Sequence, residues 1–171
     1  MADKLFRKPS IDVIQGDTLG PMFGKVAAAA TVTHLKPGVV IVFKTNDGEI
    51  DIAGTTDISG NVGVLGYEGT PLAFKPANRD TAYAVGDHVA VHNTPGMRFR
   101  GHLTPSSAAV APGDPLFHGA DASGNLQKYL GTTTSAIAGT TGGVPIPVAK
   151  ALESVTPATS YASCECWMEW L

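Results

Sequence analysis

Apolar residues in this chain come in short runs, and glycine stops each run before it can grow. Three segments share one layout: Leu35-Lys36-Pro37-Gly38-Val39-Val40-Ile41-Val42, Ala84-Val85-Gly86-Asp87-His88-Val89-Ala90-Val91, and Ala111-Pro112-Gly113-Asp114-Pro115-Leu116-Phe117. In each, a glycine-centred turn opens a run that is apolar or alternates with polar residues. The run then meets a second glycine turn: Asn46-Asp47-Gly48, Thr94-Pro95-Gly96 or Ala122-Ser123-Gly124. The paired glycines lie 10, 10 and 11 residues apart. A strand of about five or six residues plus its turn needs a step of that size. The pattern predicts a hairpin-forming unit used three times, over residues 39–53, 88–103 and 115–130.

The remaining segments are read by the same rules. Residues 1–25 carry turn formers (Pro9, Gly16, Gly20, Pro21, Gly24) and no sustained period. They predict an extended N-terminal arm with one short strand at 11–14. The run Ala27-Ala28-Ala29-Ala30 favours helix, but Val26, Thr31, Val32 and Thr33 around it favour a strand, which is the reading adopted. Val62-Gly63-Val64-Leu65-Gly66 is a glycine-interrupted strand, the kind that marks a bulge or a close backbone approach. Residues 71–80 form a loop, and 131–143 a longer polar one suited to a contact role or to disorder. Residues 144–152 return to strand character, with Pro145 and Pro147 placing its start at a sheet edge. Trp167, Met168, Trp170 and Leu171 require the last strand to be buried. No long amphipathic helix is present. The expectation is an all-β, single-domain β-sandwich or β-barrel of short strands: an arm at 1–25 and a β-rich domain at 26–171.

Composition narrows the partners. Charged residues make up 16% of the 171, and the formal net charge is −3. That balance gives neither the basic patch nucleic acid demands nor a polybasic membrane signal. Arg98-Phe99-Arg100 alone does not make a stacking groove. A surface poor in charge and rich in Ala, Thr, Ser and Gly suits contact with other proteins. Residues 1–8 lack the apolar core of a secretory signal, so the protein is expected to be made and soluble in a cytoplasm. The only cysteines, Cys164 and Cys166, share one face of a strand. They read as small apolar fillers, with an intersubunit disulfide or a metal site as alternatives.

Catalytic chemistry finds no foothold. On a strand, His88 and His92 would sit about 13 Å apart, too far to share a metal ion. Asp87 and Asp114 follow turn glycines and read as caps of their own turns rather than calcium ligands. Glu49 and Asp51 alternate with Ile50 and Ile52, as on a solvated strand face. There is no nucleophile elbow, phosphate loop or dinucleotide fingerprint. The expectation is a protein with no enzymatic activity, no cofactor and no metal.

The order of parts resembles the capsid decoration, or head cement, proteins of tailed viruses. The likeness lies in the N-terminal segment, the Gly-Asp-strand units at 84–91 and 111–117, the Val-x-Val-Leu-Gly run at 62–66, and Pro147-Val148-Ala149-Lys150-Ala151-Leu152-Glu153 before a final strand. The ending Cys164-Glu165-Cys166-Trp167-Met168-Glu169-Trp170-Leu171 departs from that pattern. The resemblance implies a structural virion protein, made in a host cytoplasm and carried on the capsid exterior. It would be a homotrimer bound to the major capsid protein, with no direct contact to nucleic acid or membrane. The arm would supply the contact through Leu5, Phe6, Arg7, Ile11 and Ile14, an apolar set flanked by cations. The competing readings are a surface-displayed β-domain that binds a host receptor or glycan, and a β-barrel enzyme.

Overall fold

A computed structural model describes residues 14–28, 30, 32–44, 48–53, 62–66, 68–70, 73–75, 81–118, 123–128, 147–159 and 164–171. The strands are β1 (Ile14–Gln15), β2 (Met22–Val26), β3 (Val40–Phe43), β4 (Glu49–Ile52), β5 (Val62–Leu65), β6 (Glu68–Thr70) and β7 (Ala73–Lys75), then β8 (His88–His92), β9 (Arg98–His102), β10 (Pro115–His118), β11 (Leu126–Lys128), β12 (Ala149–Ala151) and β13 (Glu165–Trp170). A 3-10 turn at Val32–His34 is the only helical element among the described residues, and none of their helices is long and apolar enough to cross a membrane. The expected all-β architecture is observed.

The first half of the chain closes into a five-stranded barrel in the order β2-β4-β3-β5-β8. All its pairings are antiparallel except β2–β4, where Val26 lies beside Ile50 in a parallel pair. Alternation decides what fills it: Ile50 and Ile52 of β4 point in, while Glu49 and Asp51 point out. Val26, Ile41, Leu65, Val89 and Val91 join them inside, and Leu35, Val39 and Tyr83 complete the core. Tyr83 is buried, and its hydroxyl donates to the Gly66 carbonyl at 3.1 Å, so its polar end is satisfied.

The second half builds a sheet in the order β1-β9-β13-β12-β10-β11, and this sheet repeats the barrel. A shift of 77 residues carries Val26 of β2 onto Leu103 beyond β9, and Val91 of β8 onto Met168 of β13. Shifts of 75, 76 and 86 carry Ile41 onto Leu116, Ile50 onto Leu126 and Leu65 onto Ala151. Under these shifts all four antiparallel registers of the barrel coincide with those of the sheet. The parallel contact survives as a single bridge between Leu103 and Leu126. Hydrogen bonds outside the ladders repeat as well: Gly38 N to Leu65 O (2.7 Å) has its counterpart in Gly113 N to Ala151 O (2.8 Å). The chain is thus two copies of one five-strand ring.

The rings share a core. Val40, Val42, Val64 and Ala53 of the barrel cluster with Phe99, Leu103, Leu116, Leu126, Cys166, Met168 and Trp170 of the second ring. Phe99 and Trp170 meet edge to face with centroids 6.0 Å apart, an arrangement worth about 0.5–1.5 kcal/mol beyond burial alone. The two rings form one domain.

Several expectations change. The hairpins at β3–β4 and β10–β11 are present and are equivalents of each other. The third expected hairpin is not one: β8 belongs to the barrel and β9 to the sheet, so Thr94-Pro95-Gly96 is the connector between rings. Gly96 N there bonds Trp170 O at 2.9 Å, across to the last strand. The extended arm does not reach residue 25, because β2 is a barrel stave. The strand ends at Val26 rather than running through the alanines. β12 lies between β10 and β13, and residues 144–146, at the start of the segment expected at an edge, lie outside the described residues. The 131–143 loop lies outside the described residues.

The repeat makes a sharp comparison between Gly38 and Gly113, which have φ of 92° and 90°. Alanine at either position enters the left-handed region, at a cost of about 1–2 kcal/mol. At Gly113 the new Cβ meets nothing within 4 Å, whereas at Gly38 it runs into the Arg100 carbonyl oxygen, which is backbone and cannot step aside. Gly38→Ala is therefore expected to cost at least about 1–3 kcal/mol more than Gly113→Ala. Urea unfolding of both variants measures this, and equal costs would contradict the packing of the first ring's turn on β9.

Candidate functional site

The described part of the expected arm, from Ile14 to Lys25, forms the most distinctive surface of the described residues. Of the five expected contact residues, Leu5, Phe6, Arg7 and Ile11 lie outside the described residues. Ile14 is described, and it is 8% exposed within the second core. It stands opposite Phe99 in the β1–β9 pair, and Phe99 faces that core. Ile14 is an anchor of the segment rather than a contact offered to another molecule.

Three residues further on, Asp17 makes the second anchor. Its Oδ2 lies 2.5 Å from His92 Nδ1, at the end of β8. Its Oδ1 accepts the Thr94 hydroxyl and the backbone N–H groups of Leu19 (3.2 Å) and Gly20 (3.1 Å). The Asp17 and His92 side chains are only 8% and 11% exposed. Burial pushes the Asp17 carboxyl up, but the Thr94 and His92 hydrogen bonds, the His92 charge and the Leu19 amide together hold it below its ordinary value. The His92 ring lies against Gly66, where a Cβ would be 2.5 Å from Nε2. Sequence reading paired His92 with His88 and missed Asp17, since no local pattern links groups 75 residues apart.

Beyond this anchor the surface turns apolar. Leu19 is 79% exposed, Phe23 72% and Met22 40%. Gly24 and Val26 of β2 face the barrel interior, so Phe23 and Lys25 face out. Phe23 lies across from Ala90 and Lys25 across from His88. Gly24 leaves room for the Ile50 methyl, which a side chain at that position would displace. Val85, in the turn before β8, is also exposed. The alternation over 23–26 signals an outward Phe23 once β2 is recognised as a strand, and the arm assignment concealed it.

Other candidates resolve into structure. Asp87 and Asp114 cap their turns, accepting from Ala84 N (2.9 Å) and Ala111 N (2.8 Å). Asp114 also takes Lys128 Nζ at 2.7 Å; that bond and the Ala111 amide hold its carboxyl below the ordinary value. His88 is exposed and His92 is held by Asp17, so the two do not converge. No group of three metal-ligating side chains occurs among the described residues. On the outer face of β9 and β13, Arg100 Nε lies 2.7 Å from Glu165 Oε2 but off the N–H direction, an electrostatic contact rather than a hydrogen bond. Half-buried Trp167 sits on that face opposite Arg100. Cys164 and Cys166 form no disulfide and are buried on the core face, as apolar fillers. No protein-family model matches the chain, and no curated protein matches it either.

The thiols provide a check on this placement. Burial raises the Cys164 thiol, and burial followed by the Glu153 charge pushes Cys166 up to about 11. At pH 8 only about one Cys166 in a thousand is the reactive thiolate. A thiol reagent such as DTNB is expected to leave both cysteines untouched in the folded protein and to titrate both in denaturant. Prompt reaction without denaturant would show that the core face of β13 is open.

Proposed function

We propose that the protein is a non-enzymatic structural protein that binds the outer surface of an assembled icosahedral capsid, with the major capsid protein as partner, and stabilises it as a self-associated trimer. The observation that carries this reading is an apolar set: Phe23, exposed on the outer face of barrel stave β2, with Met22 exposed at the start of that stave and Leu19 exposed in the segment leading into it. Phe23 is 72% exposed on a strand face, and aromatic side chains of this kind act as anchors when a partner covers them. A symmetric oligomer would present the set several times around an axis, so modest contacts add through avidity. A second reading, binding of a host glycan, draws on Trp167 among charged neighbours.

Binding to expanded shells discriminates the two. The protein is expected to give saturable, symmetric density on such shells and to sediment as a trimer. Phe23→Ser should leave the fold intact and weaken shell binding at least about tenfold, a loss of about 1.4 kcal/mol per site. Trp167→Ala should leave it unchanged. Binding abolished by Trp167→Ala and indifferent to Phe23→Ser would move the contact to the β9–β13 face.

A further inference from the structure

We propose that residues 14–20 are a releasable strap across the two rings, and that Asp17, His92 and Thr94 are its clasp. The strap is a property of the free protein and stands or falls independently of capsid binding. At one end, among the described residues, β1 lies along β9 through two residue pairs, Ile14 with Phe99 and Gln15 with Arg98. At the other end the chain enters β2, a barrel stave. Between them, among the described residues, the strap's hold on the barrel runs through the Asp17 carboxylate, which binds His92 at the end of β8 and Thr94 in the connector between rings.

The backbone is built to move at defined points. Gly16 and Gly20 bracket Asp17 with φ of 73° and 78°, and a Cβ at either would meet nothing within 4 Å. Both are exposed turns that can swing without displacing a neighbour. Thr18 and Leu19 are exposed as well, so among the described residues the strap is held by Ile14, two strand pairs and Asp17. A segment with so few buried contacts belongs to the part of a protein that opens locally rather than with the whole fold.

The clasp is complete and selective. The Asp17 carboxylate accepts from one imidazole, one hydroxyl and two amides, so its charge is well satisfied while the strap is down. The described titratable groups facing it are His92 from β8 and, behind Gly66, the Tyr83 hydroxyl; Lys25 and His88 lie at the far end of β2 and β8. Because the carboxyl is held below its ordinary value of 3.8, the clasp is fully formed above that pH and weakens as the pH falls through the depressed value. Release uncovers the outer edge of β9 at Arg98 and lets residues 14–19 swing away. A bare strand edge is a ready template for pairing.

Hydrogen exchange followed by mass spectrometry, together with limited proteolysis, tests this on the full chain. Asp17→Asn is expected to speed exchange in peptides covering residues 98–100, and cleavage within residues 14–20, by at least about tenfold, while β3 and β5 stay within about twofold of wild type. Thr94→Val should act in the same direction and more weakly. Asp114→Asn, at an exposed turn of the other ring, should do neither. Unchanged exchange at 98–100 in Asp17→Asn would show that the clasp holds nothing. Acceleration of β3 and β5 equal to that of β9 would show that Asp17 supports the whole fold. If Asp17→Asn does not fold, Thr94→Val decides on the same readouts.

Discussion

Val40 and Ile41 are neighbours in the chain and lie in different cores. Ile41 fills the barrel, while Val40 and Val42 project from its outer face into the second ring. Strand β3 thus has no solvent face for most of its length, and its Val-Ile-Val sequence is what a strand buried on both sides requires. Everything else arranges itself around this double burial. The second ring has only the single Leu103–Leu126 bridge where the barrel has a ladder, and the barrel's outward valines pack into the core it encloses. The Val40 amide also bonds the Gly124 carbonyl at 2.9 Å, tying the turn of one hairpin to the strand of the other.

Much of this was legible in the sequence. Glycine turns at ten-residue steps and alternation such as Glu-Ile-Asp-Ile identify individual strands, because turn chemistry and side-chain period are local properties. Pairing is not local. Pro95-Gly96 looks like a hairpin turn, yet it joins strands of different sheets. The turn glycines of the repeat were visible, with Gly38 matching Gly113 and Gly48 matching Gly124, but its strand pairs, such as Val26 with Leu103 and Val89 with Cys166, share apolar character and nothing more. The shift also jumps from 76 to 86 between the third and fourth strands, which breaks any fixed period. At the candidate site, an exposed Phe23 follows from alternation once the strand is known. The Asp17–His92 contact depends on tertiary closure and left no trace in either neighbourhood.

The two rings have diverged in a way that bears on function. At the face where β2 displays Phe23 and Lys25, the equivalent stretch of β9 carries Arg100 beside Glu165, in a lattice that includes the Lys150–Glu169 pair. That charged face can remain in water at little cost. The apolar face of the first ring does not share that comfort, and it adjoins the end of the N-terminal strap. One architectural unit therefore supplies two surfaces of opposite character, and the difference rests on side chains alone.

The position of β13 between β9 and β12 has a consequence for synthesis. The barrel has all its staves once residue 92 has emerged, but the second ring lacks a central strand until residue 170 does. At about 5–20 residues per second, the ribosome holds these events several seconds apart. At the start of that interval Val40, Val42 and Val64 face outward on a barrel that is otherwise ready, and the residues that cover them arrive strand by strand from β9 to β13. The nascent protein passes through a stage when its own interior seam is its stickiest surface, and β13 is the strand that seals it.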